Sequence, residues 1–230
     1  MSLLESIADV LLPRFCKVCG RRLAIGEQHL CVSCTLRLPV IQYRQGEISP
    51  TENVLLGEFA MVRAASLFRY EKESDYSHIL YHLKYYGHPE VGRYLARQAA
   101  SMLQREHFFD GISCIVPVPL SRRKLRKRGY NQCDYIASGL SQVTGLPIRT
   151  DIVTRTVSNQ VQAKKGRLQR WRNAEGIFRV RDADSLRSYP HILIVDDVVT
   201  TGSTISSLID TLRSSAPSLR VSVFTLAIAE

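Results

Sequence analysis

The chain has 230 residues, of which 45% are hydrophobic, so it is long enough to bury one substantial core beside a small second module. Its net charge is +10 at pH 7, and it contains six cysteines. No apolar run approaches the roughly 20 residues that a membrane-spanning helix needs, and the start of the chain lacks the basic segment of a secretory signal. Composition therefore argues against a transmembrane or secreted protein. It predicts a cytoplasmic one, whose cysteines are reduced unless a metal holds them.

Residues 1–43 are predicted to form a small N-terminal module. Between Met1 and Pro13, apolar side chains recur at helical spacing, which predicts a short docking helix. Two Cys-x-x-Cys pairs follow, and such pairs can bring four thiolates to one tetrahedral ion with no open position left for catalysis. Disulfides are disfavoured in the cytosol, and unrelated core cysteines rarely fall into two matched pairs. The sequence therefore predicts a structural zinc ion, with the ligands Cys16, Cys19, Cys31 and Cys34.

Residues 44–58 are polar and rich in turn-forming side chains, which predicts a linker before a main domain at residues 59–230. In the main domain, apolar runs alternate with helical periodicity. The predicted elements, in chain order, are a strand at Phe59–Tyr70, helices at Tyr76–Lys84 and Glu90–Leu103, a strand at Ile112–Val118, a helix at Asn131–Val143, and strands at Asp151–Val157, Ile192–Val195 and Val221–Ile228. This alternation predicts an α/β fold with a parallel sheet, in which ligands bind beyond the carboxyl ends of the strands.

Two basic runs in this domain contain no acidic residue, one at 122–128 and the other at 155–172. A run of this kind is usually a solvated face or a loop. Beside a phosphate site, two such runs also create a field that attracts a polyanion. Pyrophosphate and nucleic acid both fit this description, and charge alone does not separate them.

The most informative stretch is Ile192–Thr204, where a buried strand leads into two adjacent carboxylates and a hydroxyl-rich loop. Asp196 and Asp197 can accept hydrogen bonds from a vicinal diol. The loop at Thr200–Thr204 can direct backbone N–H groups and hydroxyls at an anion, and a helix that follows it adds the positive end of its dipole. A diol site beside an anion site describes a ribose 5-phosphate. The alternative is an ordinary strand, turn and helix, in which Ser or Thr only caps the helix.

This stretch resembles the phosphoribosyl pyrophosphate (PRPP) signature of the type I phosphoribosyltransferases. The resemblance implies a phosphoribosyltransferase-like domain in which catalytic Asp196 and Asp197 hold the ribose hydroxyls. It also implies Mg²⁺, bound together with PRPP and held mainly by substrate oxygens. The residues that the resemblance assigns to PRPP and its 5-phosphate, besides the acidic pair, are Val198, Val199, Thr200, Thr201, Gly202, Ser203 and Thr204.

The rest of the chain narrows the resemblance to the ComF/GntX family. Its motifs are matched by Pro117–Leu120, by Arg128–Gln132, by the four cysteines and by the Leu-Lys-Tyr element at residue 83. The family implies a zinc-binding segment joined to a phosphoribosyltransferase-type domain, and an association with DNA uptake in bacterial transformation. The candidates that the resemblance implies for a pyrophosphate loop and a lid are Leu120, Ser121, Arg122, Arg123, Arg128, Asn131, Gln132, Gln162, Arg170 and Asn173.

Two functions from different classes stay open at this point. In one, the chain is a competence protein that keeps a PRPP site and meets single-stranded DNA or other DNA-uptake proteins. In the other, it is an active phosphoribosyltransferase without direct DNA binding, whose acceptor no residue identifies. Tyr130 and Trp171 are candidates for stacking on bases, although single aromatic residues are more often core. The aromatic residues of Leu83–Gly87 are likewise expected to be core or hinge, with Lys84 facing solvent.

Overall fold

The computed structural model describes residues 13–43, 47–55, 61–156 and 177–229, so the predicted docking helix lies outside the described residues. The helices are α1 (Val32–Leu36), α2 (Pro50–Leu55), α3 (Ser77–Lys84), α4 (Glu90–Arg105), α5 (Arg122–Arg128), α6 (Gln132–Thr144), α7 (Ala183–Arg187) and α8 (Ser203–Ser215). The strands are β1 (Ala64–Tyr70), β2 (Cys114–Pro117), β3 (Val153–Arg155), β4 (Phe178–Val180), β5 (His191–Val199) and β6 (Arg220–Ala229).

Four strands form the central sheet in the order β1-β6-β5-β2, and every neighbouring pair is parallel. The predicted α/β fold with a parallel sheet is therefore confirmed. Strands β5 and β6 lie in the middle of the sheet and are buried along nearly their whole length. A central parallel strand is covered on both faces, which accounts for their continuous apolar runs. Val195 of β5 pairs with Pro117 of β2 and with Phe224 of β6, so the carboxyl ends of β2 and β5 share one rim.

Helices cover both faces of this sheet. Alternate residues of β5 point to opposite faces. Leu193 and Val195 pack in one apolar cluster with α4 and α6, whereas Ile192 and Ile194 pack in a second cluster with α8. Within the described ranges, no helix is both long and apolar enough to cross a membrane.

One predicted strand, Asp151–Val157, lies outside the central sheet. Its observed core is β3, which pairs with β4 as a separate antiparallel sheet of two strands. The outer edge of β2 is already occupied by residues that precede β3. The backbone N–H of Ile115 donates to the carbonyl oxygen of Pro147, and the carbonyl oxygen of Ile115 accepts the backbone N–H of Arg149. The chain therefore leaves the central sheet before β3 begins, and the predicted place of this strand in the sheet is wrong.

The first basic run folds as helix α5. The hydroxyl of Ser121 caps its start by accepting a hydrogen bond from the backbone N–H of Lys124 at 3.4 Å. Gly129 ends it in the left-handed conformation, with φ of 82°, which glycine adopts without a steric penalty. Since α5 has no buried residue, the basic run is a solvated face presented on a helix.

The described part of the predicted linker packs against β1. Helix α2 buries Thr51 and Leu55, and the Thr51 hydroxyl donates to Ser66 Oγ at 2.8 Å. The hydroxyl of Ser49 donates to the carbonyl oxygen of Ala64 at 2.6 Å. Residues 47–55 are thus fastened to the sheet by buried hydrogen bonds, while the domain boundaries at residues 43 and 58 stay predictions.

Candidate functional site

The four N-terminal cysteines form a compact cluster. The four sulfur atoms lie within 4.8 Å of one another, and all four cysteines are free of disulfides. The backbone N–H of Cys31 points to Cys16 Sγ, and that of Cys34 points to Cys31 Sγ, each at 3.4 Å. Amide donors of this kind stabilise thiolates, and four thiolates at this spacing suit a tetrahedral metal ion. The predicted four-cysteine cluster is therefore confirmed as a site that can hold a metal.

The cluster is fastened to the main domain through α3 and α4. The hydroxyl of Tyr76 donates to the carbonyl oxygen of Cys34 at 3.1 Å. The ring of His78 makes a 3.0 Å hydrogen bond to the carbonyl oxygen of Val18. His29 is half-buried, with its ring 5.4 Å from that of Tyr94 in α4. The module therefore packs on the same helix, α3, whose far end reaches the rim of the sheet.

At that rim, Asp197 is the centre of a buried hydrogen-bond network. Asp197 is only 4% exposed. One carboxylate oxygen accepts a 2.6 Å hydrogen bond from the side-chain amide of Gln132. The other lies 2.8 Å from the ammonium of Lys84. Both oxygens thus have a donor, as a buried carboxylate requires.

Asp196 has a different environment, although it is the next residue of β5. It is half-buried, and one oxygen accepts the backbone N–H of Asp197 at 2.8 Å and the thiol of Cys133 at 3.3 Å. Burial, together with the neighbouring Asp197 carboxylate, raises the pKa of Asp196 to about 7. The same burial and the two carboxylates raise the pKa of the Cys133 thiol, which keeps it a hydrogen-bond donor. The carboxyl of Asp196 is therefore harder to ionise than that of an ordinary aspartate.

Lys84 is the residue of this network that sequence reasoning placed wrongly. It was expected to face solvent, yet its side chain is 21% exposed and its ammonium contacts Asp197. Burial alone would lower the pKa of Lys84, but the charges of Asp197 and Asp196 outweigh it and raise the pKa. The Leu-Lys-Tyr element of the family pattern marked this position without indicating what the lysine contacts.

The hydroxyl-rich loop after β5 leads directly into α8. Thr200, Thr201 and Ser203 are exposed, and the Thr201 hydroxyl donates to Ser203 Oγ at 3.2 Å. Gly202 has φ of 76° and sits so close to α2 that an added Cβ would lie 2.6 Å from Leu55 Cδ2. Only glycine satisfies both conditions. The loop can therefore present its hydroxyls and the first N–H groups of a 13-residue helix to an anion.

The residues that follow β2 reach the acidic pair through Gln132. Arg128 at the end of α5 hydrogen-bonds to Gln132 Oε1, and its guanidinium lies over the ring of Tyr85 at 5.6 Å. Asn131 caps α6 and donates to the carbonyl oxygen of Val118 at 3.2 Å.

Of the other candidates in this region, Leu120 and Ser121 are half-buried and Arg122 and Arg123 are exposed. Gln162, Arg170 and Asn173 lie outside the described residues. The structure thus joins Arg128, Gln132 and Asp197 in one network, and the roles of all these residues stay predictions.

An exposed aromatic surface lies beside α5. Tyr81, Tyr85 and Tyr86 are 38%, 68% and 63% exposed, and the rings of Tyr81 and Tyr85 are 6.2 Å apart. Tyr130, a candidate for stacking on bases, is half-buried, and its hydroxyl donates to the carbonyl oxygen of Leu83 at 2.9 Å. Trp171, the other one, lies outside the described residues. Tyr85 and Tyr86, which were expected to be core or hinge, are therefore exposed.

Curated proteins similar to this chain cover most of its length. Competence protein F of Haemophilus influenzae is 27% identical over 202 residues, which are 86% of this chain and 78% of that protein. DNA utilization protein YhgH of Escherichia coli is 28% identical over 219 residues, which are 91% of this chain and 95% of that protein. The resemblance to the ComF/GntX family is thereby confirmed. No protein-family model matches the chain.

Among solved structures, a glutamine PRPP amidotransferase from B. subtilis resembles the chain with a TM-score of 0.41 and 15% identity. The match covers 59% of this chain and 26% of that one. A likeness this distant adds nothing to the strand order and the cysteine cluster, which describe the fold by themselves.

Proposed function

From the resemblance of this chain to the ComF/GntX family, we propose that it acts in DNA uptake during bacterial transformation and binds PRPP or another ribose 5-phosphate. The observation that carries the proposal is the rim of the sheet. There the acidic pair of β5 lies two residues before an exposed hydroxyl loop, which leads into α8. Diol acceptors and an anion site at this spacing fit a phosphorylated ribose.

The names of the similar proteins, competence protein F and DNA utilization protein, support the cellular part of the proposal. We place the protein in the cytoplasm, where other DNA-uptake proteins are candidate partners. The domain boundaries proposed from the sequence, 1–43, 44–58 and 59–230, give a zinc module, a connecting segment and the sugar-phosphate domain.

The proposed metal of the N-terminal cluster is one structural zinc ion. Four sulfur atoms at mutual distances within 4.8 Å, two of them facing backbone N–H groups, fit a closed tetrahedral site. Such a site supplies folding energy and no catalytic position. Mg²⁺ is proposed only together with PRPP, held mainly by the pyrophosphate oxygens.

Single-stranded DNA is the proposed macromolecular ligand, and the surface formed by α5 with Tyr81 and Tyr85 is its proposed binding site. Six of the seven side chains of α5 are basic, and none of its residues is buried. Rings next to a basic stripe suit single strands, because the phosphates follow the charges and the bases stack on the rings. The guanidinium over Tyr85 already shows that this ring accepts a flat cation.

A transformation assay tests this function in the cell. We expect Arg122, Arg123 and Lys124 replaced together by alanine to reduce transformation, because these exposed charges are needed to attract DNA. Thr201→Ala with Asp197→Asn should reduce it as well, because the sugar-phosphate site is part of the proposed role. Full transformation by the triple alanine variant would contradict DNA binding at α5. Full transformation by the Thr201→Ala/Asp197→Asn variant would contradict a role for the sugar-phosphate site.

The second candidate function is transfer of ribose 5-phosphate from PRPP to an acceptor. It is favoured by the position of Asp196, which is half-buried near the carboxyl end of β5 and close to the hydroxyl loop. Burial and the Asp197 charge raise the pKa of this carboxyl, so that it can exchange a proton with an acceptor. Release of pyrophosphate from PRPP in the presence of candidate acceptors measures this activity directly. No release with any acceptor class, from a protein that binds PRPP, would leave the binding function alone.

A further inference from the structure

We propose that Lys84 is a positioning residue of the sugar-phosphate site, which holds Asp197 in place and offsets its charge so that a phosphorylated ligand can lie beside two carboxylates. The inference rests on the proposed ribose 5-phosphate site and adds to it a residue from outside the strand-and-loop motif. Its basis is the 2.8 Å contact between the Lys84 ammonium and Asp197 Oδ1 at a largely buried position.

The ammonium is delivered by a helix end that is itself fixed. Lys84 is the last residue of α3, whose Ile79, Leu80 and Leu83 are buried in the core. Immediately before it, the carbonyl oxygen of Leu83 accepts the hydroxyl of Tyr130 at 2.9 Å. Lysine is normally a mobile side chain, and ordering it costs conformational entropy. The packing of α3 therefore holds the charge at the rim before any ligand arrives.

The charges around the acidic pair show what Lys84 supplies. From β5 come Asp196 and Asp197 themselves, and from α6 come Gln132 and Cys133, which donate to the pair as neutral groups. The guanidinium of Arg128, from α5, bonds to the Gln132 oxygen and not to a carboxylate. Within the part of the chain that the structure describes, Lys84 brings a cation into direct contact with the pair.

Two uncompensated carboxylates would repel a sugar phosphate, since like charges at close range disfavour each other most where water is excluded. A cation bonded to Asp197 lowers the charge of the pair by one and leaves Asp196, which is less buried, to meet the ribose. A buried ion pair does not by itself indicate stability, because desolvation offsets the attraction. A role in ligand binding accounts for a lysine at this place better than a role in folding does.

The test compares Lys84→Met, which removes the charge, with Lys84→Arg, which keeps it. Lys72→Met, at an exposed position after β1, is the matched control. The first measurement is calorimetric titration of each full-length protein with ribose 5-phosphate. The second is a ¹³C NMR titration of the Asp196 and Asp197 carboxyl groups without ligand. Loss of a neighbouring cation makes a carboxylate harder to ionise, so its pH midpoint should rise.

We expect Lys84→Met to weaken ribose 5-phosphate binding at least about 10-fold and to move the carboxyl midpoint to higher pH. Lys84→Arg should restore most of the affinity, and Lys72→Met should change neither quantity. Unchanged affinity and an unchanged midpoint in Lys84→Met would overturn the inference. Weaker binding with an unchanged midpoint would overturn it too, because it would show a structural role only.

The experiment also distinguishes failure of the proposed binding function from misfolding of the Lys84→Met variant. If the wild-type protein binds neither ribose 5-phosphate nor PRPP, the proposed function fails, and the carboxyl titration alone then decides whether Lys84 sets the charge of the pair. If Lys84→Met does not fold, Lys84→Met/Asp197→Asn replaces it, because it leaves no unpaired buried charge. Its comparison is Asp197→Asn alone. A higher Asp196 midpoint in the double variant supports the inference, and equal midpoints overturn it.

Discussion

The cysteine cluster and the acidic rim lie at opposite ends of α3 and are built in opposite ways. All four sulfur atoms come from residues 16–34, in two pairs with two residues between the cysteines of each pair. The rim collects Lys84 from α3, Gln132 from α6, and the acidic pair from β5. A site made from adjacent residues depends mainly on its own ligands. A site made from separate elements depends on how those elements pack, so its residues should be more strongly coupled to one another.

Removing one cysteine ligand should have the largest effect. Structural zinc in small modules supplies roughly 10–16 kcal/mol of apparent binding free energy at neutral pH. We therefore expect Cys31→Ser to lose the metal and to unfold the N-terminal module while the parallel sheet persists. Metal analysis with circular dichroism measures both changes. Cys114→Ala, in a buried cysteine of β2, should keep one zinc per chain, and a full complement of zinc in Cys31→Ser would contradict the assignment.

At the rim, the two acidic residues should differ although they are neighbours. Asp197→Asn leaves the ammonium of Lys84 without its carboxylate, and breaking a largely buried pair should lower the free energy of unfolding by about 3 kcal/mol. Asp196→Asn should cost less, since that carboxyl is already partly protonated at neutral pH. Urea denaturation at pH 7 compares them. Equal losses from the two variants would contradict the predicted difference between the two carboxylates.

The pH dependence of stability isolates Asp196. Burial and Asp197 raise the pKa of this group to about 7, so between the usual carboxyl range near 4 and pH 7 the folded state holds a proton that the unfolded state has lost. The free energy of unfolding should therefore fall as pH rises through this window, by at most about 1.4 kcal/mol per pH unit. Asp196→Asn should flatten the curve in urea denaturations from pH 4 to 8. A wild-type curve equally flat would contradict the raised pKa.

The smallest expected effect is at the tyrosine surface. Base stacking on an aromatic ring contributes roughly 1–3 kcal/mol per base, so Tyr85→Leu should weaken binding of single-stranded DNA about 10-fold. Tyr85→Phe, which keeps the ring, should bind as the wild type does. Alanine at Arg122, Arg123 and Lys124 should instead reduce the salt dependence, by roughly 0.7 in slope for each lost phosphate contact. Fluorescence anisotropy over a range of salt concentrations separates the two effects. Equal DNA affinities of Tyr85→Leu and Tyr85→Phe would show that base stacking on Tyr85 does not contribute to binding.

The difference between a local site and one assembled from separate elements also explains which features could be predicted from the sequence. The four cysteines were predicted completely, because Cys-x-x-Cys spacing is local and carries its geometry with it. The parallel sheet was also predicted, because β5 and β6 are long apolar runs that fit only a doubly covered strand. By contrast, the position of β3 depended on which residues already paired with the edge of β2, which no local pattern records.

Lys84 shows the same limit at the candidate site. A lysine at the end of an amphipathic helix is normally solvated, and the sequence offers no sign that Asp197, more than a hundred residues later, lies 2.8 Å away. The prediction for Tyr85 and Tyr86 was wrong in the opposite sense, since aromatic residues are usually core and these two are exposed. In both cases tertiary packing decided the environment, which is why the acidic pair was found and its lysine was missed.

The measurement that tests the central claim most directly is a calorimetric titration of the full-length wild-type protein with ribose 5-phosphate, and with PRPP in the presence of Mg²⁺. The account predicts saturable binding of one ligand per chain. Replacing Asp196 and Asp197 together by asparagine should weaken it strongly, because an ionised carboxylate is the better acceptor for the ribose hydroxyls. Equal affinity of wild type and double variant, or no heat of binding with either ligand in the wild type, would contradict a sugar-phosphate site at this rim.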